Sequence, residues 1–391
     1  MTPKGFRFAA AEAAVKKPGR LDLGLILCEV DAAAAGVFTR NRVAAAPVEV
    51  CRDRLTRGRA RAVLVNSGNA NACTGDQGLA DARRLSDRLA RAVGAAPEAV
   101  FPCSTGVIGL PLPVERMEAA IPALVSELGA DPSPFSRAIM TTDRFPKTSG
   151  RQVAVEGREI SVYGVAKGAG MIRPDMATLL AFVLTDAFVS PSALQTLLSR
   201  AVDSTFNRIT VDGDTSTNDT VLALASGLAG GQLLDGNRDA LGRLGEALRE
   251  VCQDLARMMV RDGEGATKVV DVRVSGAVSD EAALSIARTV AESPLVKTAI
   301  HGEDPNWGRI AMALGRSAGY GGGPFSIAFG GIGVVRDGLG LGAEAERRAH
   351  EVMTGTEYDI GIELREGAGE ATVTTCDLTA EYVRINADYR S

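Results

Sequence analysis

The sequence reads as a mixed α/β protein, because two kinds of apolar pattern alternate along it. Short, nearly unbroken apolar runs such as Thr178–Leu184 suit strands buried on both faces. Longer stretches with an apolar residue every third or fourth position suit helices lying on a core. Over Asp239–Arg261, for example, Leu241, Leu244, Leu248, Cys252, Leu255 and Met259 form one stripe. The composition can fill such a core: 46% of the 391 residues are hydrophobic, and because only 4% are aromatic the core is aliphatic. Forty-four glycines predict many tight loops.

In chain order, Leu23–Val30 and Gly36–Thr39 read as strands joined by a turn at Asp31–Ala35. Arg61–Asn66 is a further buried strand, running into the string NSGNANACTG at Asn66–Gly75. So many Asn and Gly oppose helix and strand, and predict an ordered loop built on side-chain-to-backbone hydrogen bonds. That loop is either structural or a wall of an active site. Leu79, Ala82, Leu85, Leu89 and Val93 then give Gly78–Val93 helical spacing. Pro102–Gly109 is a poor helix and a poor strand. Its Ser-Thr-Gly step presents a hydroxyl beside an unshielded glycine N–H, which is either a plain loop or half of an oxyanion hole.

Val114–Leu128 is helical with an interruption at Pro122, and Arg158–Val165 alternates as a strand. Ser190 and Pro191 supply the cap and first position of a helix reaching Val202. Asn207–Thr220 is acidic and hydroxyl-rich. Counted as an EF-hand from Asp212, it has Thr217 where glycine is needed and Ala223 where glutamate is needed, so no metal is expected. Glu264 sits between two glycines after the long helix, and Val269–Val274 is the next strand. The glycine beyond it, Gly276, is taken as the boundary between a main domain, 1–275, and a C-terminal α/β domain, 276–391. Ser279 caps a helix to Ala291, with Asp280 and Glu281 suiting its dipole. His301 is read as a structural hydrogen-bonder. The glycine-rich stretch Gly319–Gly333 lacks the ending of a phosphate loop. Three closing strands are expected near Tyr358–Leu364, Glu370–Cys376 and Glu381–Ile385, with a docked terminus after them.

A net charge of −5 and the lack of any long basic stretch argue against nucleic acid as a partner. Six scattered cysteines without a CxxC pair argue against zinc and against a disulfide scaffold. No uninterrupted apolar segment reads as a leader or a membrane span, so a soluble, cytoplasmic protein is expected.

The stretch that carries chemistry is Lys167–Asp186, KGAGMIRPDMATLLAFVLTD. A low-bulk glycine loop leads to a turn at Arg173-Pro174-Asp175 and then to the apolar run, with Thr178 at its mouth after the small Ala177. A threonine hydroxyl needs a nearby base to act as a nucleophile. Cutting the chain before Thr178 would supply one, an α-amino group with a pKa of roughly 7.7–8.0. The Thr178 hydroxyl could itself begin that cut on the Ala177 carbonyl. A core strand that happens to begin with threonine is the alternative.

The run Lys167–Leu180 closely resembles the self-cleavage motif of the ornithine acetyltransferases, the glutamate N-acetyltransferases of the recycling arginine pathway. Nearly the same strings as Asn66–Gly75, Ala138–Lys147, Asp262–Lys268 and Ser293–Ile310 occur in that family, and the resemblance covers essentially the whole chain. It implies an α/β fold of sheets layered between helices, with self-cleavage into chains of residues 1–177 and 178–391. It also implies a heterotetramer of two such pairs and acetyl transfer from N-acetylornithine to glutamate. No metal or organic cofactor is implied, and acetyl-CoA is left open as a second donor.

By the same resemblance Thr178 is the nucleophile, and Thr105, through its hydroxyl, and Gly106, through its N–H, form the oxyanion hole. Lys167, Glu264, Asn386 and Ser391 contact substrate together with Thr178. One position departs from the family: its motif usually ends in a substrate-contacting threonine after the aspartate, where this chain has Arg144. That arginine either holds a carboxylate, narrows the pocket or points away. Three other readings stay open: an N-terminal-threonine amidase or aminopeptidase, an uncut binder of acetylated amino acids, and a paralogue acetylating another amine.

Overall fold

The computed structural model describes residues 2–173 and 179–388. By backbone proximity these fall into two compact units. The first holds residues 2–171, 179–207 and 214–256, and the second holds 172–173, 208–213 and 257–388.

The first unit is built on an eight-stranded sheet. Its strands are β1 (Phe6–Ala11), β2 (Leu23–Phe38), β3 (Arg59–Asn69), β4 (Val100–Val107), β5 (Lys147–Val155), β6 (Arg158–Lys167), β7 (Leu180–Thr185) and β8 (Thr220–Ala225). Its helices are α1 (Ala46–Leu55), α2 (Gly75–Val93), α3 (Val114–Ser126), α4 (Ser133–Ala138), α5 (Pro191–Ser204) and α6 (Arg238–Arg261), the last of which ends in residues of the second unit. The strand order is β4-β3-β2-β8-β7-β6-β5, with β1 also on β2; β3–β4 and β7–β8 are the parallel pairs.

Alternation along the strands divides the core. Ile26, Val63, Phe101, Val165 and Phe182 pack with Phe8 and Phe135 on one face. Leu23, Leu25 and Leu64 pack with Leu85 and Leu89 of α2 and with Met117 and Ile121 of α3 on the other. Each such fully buried side chain stabilises the fold by roughly 1.5–3 kcal/mol.

The second unit carries a six-stranded sheet of order β12-β11-β10-β13-β9-β14. Its strands are β9 (Val269–Ala277), β10 (Phe325–Phe329), β11 (Ile332–Arg336), β12 (Leu339–Gly340), β13 (Glu357–Leu364) and β14 (Gly369–Cys376). Its helices are α7 (Asp280–Ala291), α8 (Pro294–His301), α9 (Trp307–Gly315), α10 (Ala343–Met353) and α11 (Ala380–Ala387). Val270, Val272 and Val274 alternate inward beneath Ile286 and Val290 of α7, as a strand with one buried face requires. The Ser279 hydroxyl accepts from Ala282 N, so the predicted cap is present.

Several expectations change. The turn expected at Asp31–Ala35 is continuous strand with a register shift between Leu27 and Ala32. Ala32–Ala35 are all buried, because methyl side chains let β2 pass between packed layers on both faces. Pro122 lies inside α3 and does not end it. Gly276 falls within β9, where its φ of +75° and the amides of Glu366 and Gly367 on its carbonyl make an irregularity of the sheet. The expected strand Glu381–Ile385 is part of α11. Its Tyr, Val and Ile favour a strand only where a neighbouring strand supplies a ladder; here Glu381 and Arg384 pair one turn apart instead. No described helix is long and apolar enough to cross a membrane, and all six cysteines are free.

Candidate active site

The parallel strands β3 and β4 end side by side, with Ser67 opposite Thr105 and Gly68 opposite Gly106, and the register then slips. Gly106 has φ +138°, and a Cβ on it would lie 2.2 Å from the carbonyl carbon of Gly68. Only glycine lets these two backbones approach so closely.

Where the ladder slips, asparagines take over its hydrogen bonds. Ser104 Oγ donates to Asn66 Oδ1 at 2.6 Å, and Asn66 Nδ2 donates to the Asn69 carbonyl at 2.8 Å. Asn218 Nδ2 donates to the carbonyls of Ala70 at 2.6 Å and Ser104 at 2.8 Å. The expected side-chain-bonded loop is therefore there, although β3 takes its residues through Asn69. Pro102–Val107, expected to be neither helix nor strand, is strand because β3 offers it a parallel partner.

Lys167, the last residue of β6, is only 3% exposed. Its Nζ donates to Thr105 Oγ1 at 3.2 Å, joining two of the predicted residues. Two buried carboxyls feel its charge. Asp143 accepts from Lys147 Nζ at 2.7 Å, from Gly168 N at 2.7 Å and from Thr141 N at 3.0 Å. Burial pushes its pKa up, but the charges of Lys167 and Lys147 and the bond from Lys147 outweigh this and pull it down to about 2. Asp219 has no exposed surface, and its Oδ1 accepts from Leu179 N at 2.9 Å. Its Oδ2 has no hydrogen-bond partner, and the Thr39 hydroxyl nearby is engaged with the Ser216 carbonyl at 2.7 Å. Burial raises the Asp219 pKa well above the carboxylate range, and the Leu179 amide offsets this only in part.

In the second unit, Asn386 Nδ2 on α11 donates to Glu264 Oε2 at 2.7 Å, joining another predicted pair. Glu264 is 8% exposed, in the loop between α6 and β9. His301 meets Asp377 at 3.0 Å, as a structural hydrogen-bonder would. Arg144 is exposed. Ala177, Thr178 and Ser391 lie outside the described residues. In the acidic stretch, Asp212 Oδ1 accepts from Ile172 N at 2.8 Å, and among the described residues no group of three or more His, Cys, Asp or Glu side chains is placed to hold a metal ion.

Asp143, Lys147, Asp219 and Asp377 were not singled out from sequence. Asp143 and Lys147 had a faint signal, opposite charges four residues apart, with Arg144 between them. Asp219 had none, since its partner Leu179 is 40 residues away.

The chain matches the model of the ArgJ family over residues 7–391. It is 50% identical over 393 residues to the arginine biosynthesis bifunctional protein ArgJ of Geobacter sulfurreducens, covering 100% of both chains. It is also 50% identical to the protein of the same name from Nitratidesulfovibrio vulgaris, over 100% of this chain and 99% of the relative. Among solved structures, the arginine biosynthesis bifunctional protein of Bacillus halodurans is 43% identical with a TM-score of 0.51. That match covers 53% of this chain and 98% of the solved one.

Proposed function

The chain belongs to the ArgJ family, and on that footing we propose that it moves the acetyl group of N-acetylornithine to glutamate through an acetyl ester on Thr178. It is an enzyme of arginine biosynthesis. The observation that carries the chemical reading is the Lys167–Thr105 contact at 3.2 Å beside the glycine-only Gly106. A threonine hydroxyl has a single hydrogen to give. Because the Lys167 ammonium donates to Thr105 Oγ1, that hydrogen is free to point at a developing oxyanion, alongside Gly106 N–H.

Maturation comes first. The Thr178 hydroxyl adds to the Ala177 carbonyl, the peptide C–N bond breaks, and water hydrolyses the resulting ester. Ala177 is left as a carboxylate and Thr178 with a free α-amino group. The length of the solved Bacillus halodurans chain supports this, since it corresponds to 53% of the present one. A cut after residue 177 of 391 divides the chain into pieces of about that size.

In the first transfer step the Thr178 oxygen attacks the acetyl carbonyl while its own amine takes the hydroxyl proton. Thr105 and Gly106 hold the oxyanion, and the intermediate collapses with the proton passing to the departing ornithine amine. The free amine of glutamate then attacks the acetyl ester, N-acetylglutamate leaves, and the Thr178 hydroxyl is restored. Glu264 and Asn386 suit the substrate's ammonium group, Lys167, Ser391 and the exposed Arg144 its carboxylates. The scheme uses no metal or organic cofactor. Acetyl-CoA serves as a second donor to the same threonine, in keeping with the word bifunctional in the relatives' name. The working form is a cytoplasmic heterotetramer of two cleaved pairs.

Intact mass under denaturing conditions tests this. Two chains split between Ala177 and Thr178 are expected, with N-acetylornithine adding one acetyl group to the larger. A single chain, stable over days and no different from Thr178→Ala, would overturn the mechanism.

A further inference from the structure

We propose that Asp377 is the positioning residue of the Glu264–Asn386 pair: one buried carboxylate that holds the loop bearing Glu264 against the start of the helix bearing Asn386. The proposal rests on the reading of Glu264 and Asn386 as substrate-side groups.

Asp377 lies between β14 and α11, and its side chain has no exposed surface. Its Oδ1 accepts from the backbone amides of Thr267 at 2.8 Å and Lys268 at 2.9 Å. Its Oδ2 accepts from Thr267 Oγ1 at 2.6 Å and meets His301 Nδ1 at 3.0 Å. A carboxylate only accepts, so the imidazole donates from Nδ1. Thus every donor on the carboxylate comes either from the 262–268 loop or from the end of α8. The backbone of Asp377 leads the other way, into α11. There Leu378 N donates to the Lys297 carbonyl at 3.2 Å, and Thr379 Oγ1 donates to the Gly265 carbonyl at 2.9 Å.

The loop and the helix are pressed together at Gly265. Its φ is +73°, and a Cβ there would lie 2.7 Å from Tyr382 N. Glu264 and Asn386 meet at 2.7 Å, although 122 residues separate them. Other bonds help to hold each side: Lys268 Nζ donates to Glu303 Oε1 at 2.8 Å, and Tyr382 Oη donates to Asp212 Oδ2 at 3.3 Å. No residue of α11 is buried, however, and Asn386 is itself exposed. The four donors on Asp377 fix the loop at the point where the chain enters that helix, and so set the register in which the two substrate-side groups face one another. Held this way, the Glu264 carboxylate presents its remaining lone pairs to a substrate ammonium without first giving up conformational freedom, which is affinity for the amino acid and not chemistry at the acetyl group.

The test is steady-state transfer by the cleaved protein with glutamate varied, together with intact mass to follow cleavage. Asp377→Ala should raise KM for glutamate about tenfold or more, with kcat and self-cleavage changed by less than about threefold. Asp377→Asn should restore KM to within about threefold of the parent. Its oxygen can still take both backbone amides, while the Thr267 hydroxyl can rotate and the His301 ring can change tautomer to accept from its NH2. If Asp377→Ala does not fold, Thr267→Val and His301→Phe each remove one donor and should each raise KM about threefold. An unchanged KM in these variants, or kcat and cleavage falling in step with KM, overturns the proposal. Glu264→Gln separates the two readings. If it too leaves KM unchanged, the substrate-side assignment fails; if it raises KM while Asp377→Ala does not, only the positioning role fails.

Discussion

Asp143 and Asp219 sit in two loops of the first unit, both with buried carboxyls, both within the field of Lys167, and yet with pKa values shifted in opposite directions. Asp143 lies between α4 and β5 with two backbone amides and the Lys147 ammonium bonded to it. Asp219 lies at the mouth of β8 with one bonded amide on Oδ1 and nothing on Oδ2. Burial alone would neutralise both. The donors that the fold aims at each oxygen decide the outcome, holding the Asp143 pKa below the usual carboxylate value and leaving that of Asp219 raised above it. Asp143 belongs to the electrostatics around Lys167 and Thr105. Asp219 holds the amide of Leu179.

The largest way to break this contrast is to take the cation from Asp143. Lys147→Met leaves a buried carboxylate without its bonded ammonium, and should cost about 3–5 kcal/mol of unfolding free energy in urea. Adding Asp143→Leu should return much of that loss, because the pair as a whole carries a desolvation penalty. A single-variant loss below about 1 kcal/mol would mean that the two backbone amides suffice.

Acid sharpens the contrast. The Asp143 pKa falls from 3.8 to about 2 on folding. Its stabilisation is therefore fully present above pH 4 and is lost as pH falls from about 4 through 2. The loss should be about 2 kcal/mol, and missing in Asp143→Asn, when unfolding is followed across that range. Asp219 has the opposite sign. Its folded pKa is raised above 3.8, so the unfolded chain gains by ionising as pH rises, and the folded state loses stability from about pH 4 upward until Asp219 itself ionises.

The smallest effect follows from that. Asp219→Asn keeps an oxygen for the Leu179 amide and removes the ionisable group. It should change stability by less than about 1 kcal/mol at pH 3, and should be no less stable than the parent at pH 7. A marked loss confined to pH 7 would show that Asp219 is charged and paired in the folded protein.

Much of the fold was legible locally. Helix α6 and strand β7 followed from apolar spacing, and the caps at Ser190 and Ser279 from residue type. Misreadings arose where a neighbour overruled propensity. Ala32–Ala35 looked like a turn and is strand, because β8 and β3 pair with β2 there. Pro102–Val107 looked irregular and is strand, because β3 supplies its ladder. Glu381–Ile385 looked like a strand and is helix, because among the described residues no strand lies beside it to pair with. The candidate site was named through its motifs, and the structure brings two of the named pairs together, Lys167 with Thr105 and Glu264 with Asn386. The groups that hold them were not named from sequence.

By itself, then, the sequence determined most of the alternation of strands and helices and the chemistry available at Thr105 and Lys167. These depend on side-chain type and on neighbours within one turn or strand. Only the tertiary structure decided which carboxyl has its pKa lowered, which has it raised, and which residues meet. Lys167 reaches Thr105 across 62 residues, Asp219 reaches Leu179 across 40, and Asn386 reaches Glu264 across 122. The physical reason is that desolvation and hydrogen bonding at a buried group depend on everything packed around it, and most of that is brought from elsewhere in the chain only when the sheets form.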